Sequence, residues 1–349
     1  MVPAEQRQPK LLDDSHKGLG YGSFQLLDIL GQGTFGKVFK VRRKDMPHGE
    51  EFAMKVLKKA FLVKNNHLRY AITECNILKL SNHPYVIKLH FSFQTPENLY
   101  MILDYCPGGD LAFHLNKRQI FDENEARFYI AEVILAMEYI HSLNIIYRDL
   151  KPENILIDLE GHVKLADFGL AKEGVNDKGQ AKSFCGSPAY LAPEMLQSKG
   201  VGKAGDIYQI GAVLYELLVG FPPHYTENIK KLYENIKNAK LQIPSYISKD
   251  AKDLLLSLLN KNPKSRLGVQ DKGEIKRHPF FKGLDWNKLY NRQIAPPVHL
   301  KMDEEEDNEE IQYLKQLEKA KFRDNDYQKD NQTLNRVKQF SFIRGSNDE

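Results

Sequence analysis

Residues 144–172 read NIIYRDLKPENILIDLEGHVKLADFGLAK, and this stretch decides the fold. Ile145-Ile146 and Ile155-Leu156-Ile157 are strand-like apolar runs. Val163-Lys164-Leu165 alternates and ends in Ala166-Asp167-Phe168-Gly169. Two short strands joined at the turn residues Glu160-Gly161 predict a hairpin. The hairpin holds Asn154 near Asp167 and leaves Asp149 on the loop just before it. An amide and a carboxylate side by side are hard oxygen ligands, suited to Mg²⁺ that is also held by phosphates. The second carboxylate, Asp149, is then left to accept a proton from an attacking hydroxyl.

This pattern resembles the catalytic core of a eukaryotic protein kinase. The Asp-x-x-x-x-Asn spacing is met by Asp149 and Asn154, and Asp167-Phe168-Gly169 is complete. Tyr147 stands where most kinases carry His, and a Tyr there resembles the AGC group. The resemblance implies an α+β, bilobal protein-kinase fold. It has a small antiparallel-sheet lobe with one main helix, a larger and mostly helical lobe, and a C-terminal AGC tail. It also implies ATP and Mg²⁺ as cofactors, with Asn154 and Asp167 as the metal ligands and Asp149 as the residue that orients the hydroxyl. Lys151, two past that aspartate, fits serine/threonine kinases and not tyrosine kinases. It would neutralise charge building on the transferred phosphoryl.

Toward the N-terminus, Phe24-Gln25-Leu26-Leu27-Asp28-Ile29-Leu30 is strand-like and leads into Gly31-Gln32-Gly33-Thr34-Phe35-Gly36-Lys37-Val38. A lone GxGxxG also opens the Rossmann unit, where a helix follows it. Here Val38-Phe39-Lys40-Val41 continues as a strand, which favours a glycine-rich hairpin folded over nucleotide phosphates. A Cβ at the glycines would keep backbone N–H groups away from the anion. Phe52-Ala53-Met54-Lys55-Val56-Leu57 is an alternating strand with one lysine in its middle. Taken alone, Lys55 could be a solvent-facing edge lysine; the kinase resemblance has it gripping the α- and β-phosphates. Residues 69–80 are helix-like, and Glu74 on that helix matches the family's ion-pair partner for Lys55. A strand ends at Leu103 and a Pro-Gly-Gly turn follows. By resemblance this is the hinge, with backbone groups of Asp104 and Cys106 on the adenine edge and Leu103 guarding the pocket behind it.

Residues 123–141 form the longest helical stretch, with a core-facing apolar stripe. Further on, Ser183-Phe184-Cys185-Gly186-Ser187-Pro188-Ala189-Tyr190-Leu191-Ala192-Pro193-Glu194 closely resembles an AGC activation segment. Ser183 is the residue phosphorylated in the resemblance, with Arg148 and Lys172 as candidate cations for the phosphate. Ser187 matches the substrate-platform threonine. Asp110, Glu153 and Glu216 match the family's binders of arginine upstream of the target residue, since carboxylates clamp guanidinium bidentately. Arg266 matches the partner of Glu194. Ala189 departs from the usual Glu, and 206–211 lacks the usual aromatic pair.

The tail begins with Asp285-Trp286 and Arg292-Gln293-Ile294-Ala295-Pro296-Pro297, which resemble AGC members. Residues 303–310 hold seven acidic side chains in eight, a pattern read as solvated and mobile, and 309–322 reads as a charged helix. Val337-Lys338-Gln339-Phe340-Ser341-Phe342 resembles the hydrophobic motif. In the family that motif docks on the small lobe beside the Glu74 helix, with its Ser, here Ser341, as a phosphosite. Val337 replaces the first Phe.

A chain of 349 residues with net charge +4 gives no argument for nucleic acid or membrane binding. Its three cysteines have no metal-ligand spacing and cannot all pair, which points to a reducing compartment. No apolar run reaches spanning length. The expected boundaries are a flexible lead-in at 1–23, a kinase domain at 24–281 (small lobe 24–104, large lobe 105–281) and the tail at 282–349. The expected partners are protein substrates with Arg upstream of Ser or Thr and an upstream activating kinase. No nucleic acid and no membrane insertion are expected of this monomer, whose setting is the cytoplasm and also the nucleus. The alternatives are a pseudokinase scaffold that binds Mg-ATP without phosphotransfer, and a small-molecule phosphotransferase of similar fold.

Overall fold

Alternating apolar residues between residues 24 and 104 build a sheet, and periodic apolar stripes after residue 110 build helices. A computed structural model describes residues 19–33, 36–174, 185–197, 202–271, 273–297, 337 and 340–344. The chain divides into two compact units.

The first unit holds the described residues up to Asn82, Lys88–Tyr105 and the described tail residues 337 and 340–344. Its strands are β1 (Phe24–Gly33), β2 (Gly36–Arg43), β3 (Glu51–Lys58), β4 (Leu89–Gln94) and β5 (Asn98–Asp104). Two helices, α1 (Lys59–Lys64) and α2 (Leu68–Leu80), follow β3. The sheet is antiparallel, in the order β1-β2-β3-β5-β4. Phe39, Val41, Met54, Tyr100 and Ile102 form a water-free cluster on one face. Residues 19–23, assigned to the flexible lead-in, are instead packed. Leu19 and Tyr21 lie against that cluster, and the Tyr21 ring sits 5.7 Å from that of Tyr100. Their polar neighbours hid two apolar anchors; the rest of the expected lead-in, 1–18, lies outside the described residues.

The second unit holds His83–Ile87 and the described residues from Cys106 to 297. Its helices are α3 (Leu111–Arg118), α4 (Glu123–Ser142), α5 (Pro193–Leu196), α6 (Lys203–Val219), α7 (Ile229–Asn238), α8 (Lys249–Leu258) and α9 (Trp286–Tyr290). The expected hairpin is β6 (Ile155–Ile157) and β7 (Val163–Leu165), in register Ile155↔Leu165. Helix α4 starts on a capping box, with Asp122 accepting from the Asn124 and Glu125 amides. It is buried along most of its length and packs on α6 and β7, so it forms the floor under the hairpin.

Three boundaries differ from the sequence reading. Tyr105 belongs to the first unit, and residues 83–87 to the second. The latter are held there by the hairpin: Ile87 N donates to Leu165 O and Leu165 N to Tyr85 O, at 3.0 and 2.9 Å. The tail is shared between both units. Its start stays with the second, where Arg292 pairs with Asp158 and the Tyr85 hydroxyl donates to the Leu289 carbonyl. Its end adds a short strand, β8 (Phe342–Ile343), to the edge of β4. Residues 303–322 lie outside the described residues.

Candidate active site

The loop carrying Asp149 is clamped from α6. Asp206 is fully buried, and its carboxylate accepts from the Tyr147 amide (2.8 Å), the Arg148 amide (2.8 Å) and His141 Nε2 (2.7 Å). Gln209, also fully buried, accepts from the Leu150 amide at 3.2 Å and donates to the Arg148 carbonyl at 3.0 Å. Arg148 sits at φ 73°, a left-handed conformation costly for a side chain of its size. These four backbone contacts, with Arg148 Nε donating to Leu170 O at 2.6 Å, hold it there. Tyr147 links the loop to the hairpin: its hydroxyl donates to the Ala166 carbonyl and its ring meets Phe168 edge-on at 5.1 Å.

Asp149 is where the loop converges. Its Oδ1 accepts from the Ser187 amide at 2.9 Å and the Ser187 hydroxyl at 3.0 Å. Its Oδ2 lies 3.7 Å from Lys151 Nζ and 3.3 Å from Asn154 Nδ2. Asn154 Nδ2 also donates to the Asp149 carbonyl at 2.7 Å. That commits the amide nitrogen and turns the amide oxygen the other way. Backbone pairing of Ala166 N with Asn154 O at 2.9 Å fixes the strand end that carries Asp167. Asp167 is exposed and left-handed at φ 54°. An oriented amide oxygen and an exposed carboxylate at neighbouring strand ends fit a hard divalent cation that draws its remaining oxygens from phosphates and water. Among the described residues no group of three or more His, Cys, Asp or Glu side chains could hold a metal ion.

Gly186 shows why this segment reads as it does. At φ 109° only glycine sits without strain, and an added Cβ would meet the Arg148 carbonyl at 2.7 Å. The segment therefore lies directly on the catalytic loop. Ser183 lies outside the described residues.

Of the three expected arginine binders, Glu153 is exposed at the end of the catalytic loop. Glu216 accepts from the Tyr190 hydroxyl at 2.5 Å. Burial pushes its carboxyl up to about 7, and the nearby Glu153 charge pushes the same way, against the Tyr190 hydrogen bond. Asp110 has a second occupation: it caps α3, its Oδ1 accepting from the Phe113 amide at 2.8 Å. Its backbone bridges to Leu156 on β6.

In the first unit, Lys55 Nζ lies 2.7 and 2.8 Å from the two Glu74 oxygens. Glu74 is buried on α2, so the lysine also satisfies a carboxylate that could not stay in that face alone. The glycine hairpin pairs Gly31 with Val38, Gln32 with Lys37 and Gly33 with Gly36. Lys55 stands opposite Val38, and Ala53 opposite Leu103. Gly36 is required for a reason other than anion approach, since a Cβ there would fall 1.8 Å from the Val56 carbonyl of the neighbouring strand. Thr34 and Phe35 lie outside the described residues. The Asp104 carboxylate accepts from the Lys88 amide at 3.0 Å and from His90 Nε2 at 2.8 Å, which fixes that end of β5. In the second unit the Cys106 carbonyl accepts from Gly109 N at 3.3 Å.

The tail end sits against α2 and β4. Phe340 is buried, and its carbonyl accepts from the Ser92 hydroxyl. Gln94 reads Val337 through both its amide atoms, at 2.9 Å each. Ser341, the expected phosphosite, is partly exposed. Sequence reasoning missed Gln209, Tyr190, His90 and Gln94. A polar residue inside the apolar run of α6 was the one available signal for Gln209; the others act through contacts distant in sequence.

Comparison with known proteins agrees with this geometry. A family model described as protein kinase domain matches residues 24–281. A RAC family serine/threonine-protein kinase homolog from Dictyostelium discoideum is 46% identical over 83% of this chain and 64% of its own length. Human serine/threonine-protein kinase Sgk2 is 48% identical over 79% of this chain and 75% of its own. Ribosomal protein S6 kinase 2 alpha from Gallus gallus is 48% identical over 78% of this chain but only 37% of its own. The chain thus spans between about a third and three quarters of these relatives. With its matched region covering most of the sequence and the two-unit α+β architecture in place, the chain belongs to the protein kinase family and, within it, to the AGC serine/threonine group.

Proposed function

We propose that the chain transfers the γ-phosphoryl of ATP to serine or threonine hydroxyls of protein substrates that carry arginine upstream of the target. The observation that carries this reading is the Asp149 carboxylate, held with Lys151, Asn154 and a serine hydroxyl around it. The Ser187 hydroxyl donates to Oδ1 at 3.0 Å, and a substrate hydroxyl in the same place would be oriented by the same oxygen. In the reaction the substrate oxygen bonds to the γ-phosphorus as the bond to the β–γ bridging oxygen breaks. ADP leaves, and the hydroxyl proton passes to Asp149. Lys151 offsets charge on the moving phosphoryl, while Lys55, fixed by Glu74, and the glycine hairpin hold the other phosphates. Asn154 and Asp167 would hold Mg²⁺, which supplies neutralising charge on the phosphate oxygens when bound.

Arginine selection falls to Asp110, Glu153 and Glu216. Phosphorylation of Ser183 by an upstream kinase and of Ser341 in the tail would regulate the enzyme, a monomer acting in the cytoplasm and nucleus. The test is phosphotransfer from Mg-ATP to a peptide array. Expected are activity on Ser and Thr peptides with upstream Arg, its loss in Asp149→Asn, and a weakened Arg preference in Asp110→Ala. Nucleotide binding without transfer to any peptide or metabolite would mean a scaffold; transfer to metabolites alone would mean a small-molecule phosphotransferase.

A further inference from the structure

A helix leaves its last four carbonyls without partners of its own. In α2 two that need partners are those of Leu78 in the last turn and Ser81 at the C-cap. The Arg344 guanidinium donates to both, at 3.0 and 2.9 Å. Its Nε donates at 3.1 Å to the carbonyl of Leu89, the first residue of β4, and its backbone amide donates at 3.0 Å to His90 O. One side chain thereby binds a helix end to the start of the neighbouring strand. The fixed fork of a guanidinium suits three divergent acceptors, which an ammonium cannot span. Its permanent charge also opposes the negative end of the helix dipole.

We infer that Arg344 is a positioning residue: a C-terminal cap of the Glu74-bearing helix that exists only while the tail is docked. It lies 266 residues from Leu78 in sequence, so the cap cannot form locally. Elsewhere the tail is anchored by the buried Phe340 and Phe342 side chains and by hydrogen bonds to its backbone. The Phe340 carbonyl accepts from Ser92 Oγ and Cys75 Sγ, and Val337 pairs with Gln94. Cys75 is one residue past Glu74, on the same buried face. Docking therefore firms α2 at its middle and at its end, through contacts that do not need a phosphate on Ser341. The consequence for catalysis rests on the kinase reading above, because Glu74 matters there as the partner of Lys55.

The test compares the full chain with Arg344→Ala and Arg344→Lys by amide hydrogen exchange and steady-state kinetics, both also in a Ser341→Ala background. Expected is exchange at least about tenfold faster across 74–81 in Arg344→Ala, with α4 unchanged, since a charged multidentate hydrogen bond is lost. Also expected is a several-fold fall in kcat with the peptide KM unchanged. Arg344→Lys falls between the parent and Arg344→Ala, and the effect persists without Ser341. Unchanged exchange across 74–81 overturns the cap. Faster exchange with unchanged kcat overturns its positioning role. A parent that phosphorylates nothing sinks the kinase reading instead, and the exchange arm alone then decides the cap.

Discussion

Replacing Gln209 by leucine tests whether the Asp149 loop is held from α6. The side chain is fully buried and makes two hydrogen bonds, accepting from Leu150 N and donating to Arg148 O. Leucine fills nearly the same space but leaves a backbone donor and a backbone acceptor buried without partners, each costing about 1–3 kcal/mol. Added apolar burial returns about 1 kcal/mol. The net loss is roughly 1–5 kcal/mol, with about 3 as its middle, a large share of the ~5–15 kcal/mol of an ordinary domain. For a unit of about 200 residues the middle value corresponds to a melting point lower by roughly 6–12 °C. Residues 148 and 150 flank Asp149, the proposed proton acceptor, and misplacing a reacting group by ~1 Å costs about 100-fold. We therefore expect kcat to fall about 10–100-fold, with the KM for ATP within about twofold of the parent. Near-UV circular dichroism melts and initial rates on an arginine peptide measure both. A variant that melts within about 1–2 °C of the parent and keeps its kcat refutes the claim that α6 holds the loop.

Two other perturbations have signs set by the structure. Arg266 is buried with Glu194, donates to it at 2.7 and 3.0 Å, and also reaches the Asn260 and Ala204 carbonyls. Arg266→Met removes the charge and leaves the Glu194 carboxylate buried alone, which should cost about 3–5 kcal/mol; a urea midpoint close to the parent's would show that the pair is dispensable. The Glu216 carboxyl, raised to about 7 by burial and by Glu153, holds its proton in the fold where a free carboxyl would have lost it. Its contribution to stability is thus present at acid pH and is lost as pH rises through about 7. Its charge, which the proposed contact with a substrate arginine needs, appears over the same interval. The ratio of kcat/KM for Arg and Ala peptides should climb between about pH 6 and 8 in the parent and stay flat in Glu216→Gln. A flat ratio in the parent would separate Glu216 from substrate choice.

What was legible in the sequence was what local pattern controls. The β6–β7 hairpin, α4 and the glycine hairpin follow from periodicity and turn residues within a few positions of one another. Lys55 stood out as the one lysine in the middle of an apolar alternating strand, whereas Glu74 was reached through the family resemblance. The unit boundaries were less so: residues 83–87 leave the sheet because Leu165 recruits their backbone, a contact that no periodicity encodes. Gly36 carries a further requirement that the pattern did not show, since an added Cβ would run into the Val56 carbonyl of the neighbouring strand. Asp110 carries a helix-capping duty invisible beside its match to a substrate-binding position.

The edge of β4 has a consequence for how the protein is handled. Among the described residues, two pair along the outer side of that strand, Phe342 and Ile343. A chain cut at Pro297 would uncover a row of backbone donors and acceptors beside the apolar seat of Phe340, the kind of border along which sheets of separate molecules join. Such a truncated protein should cluster into oligomers at concentrations where the whole chain stays dispersed. Phe342 and Ile343 would thus act as a built-in guard against self-association.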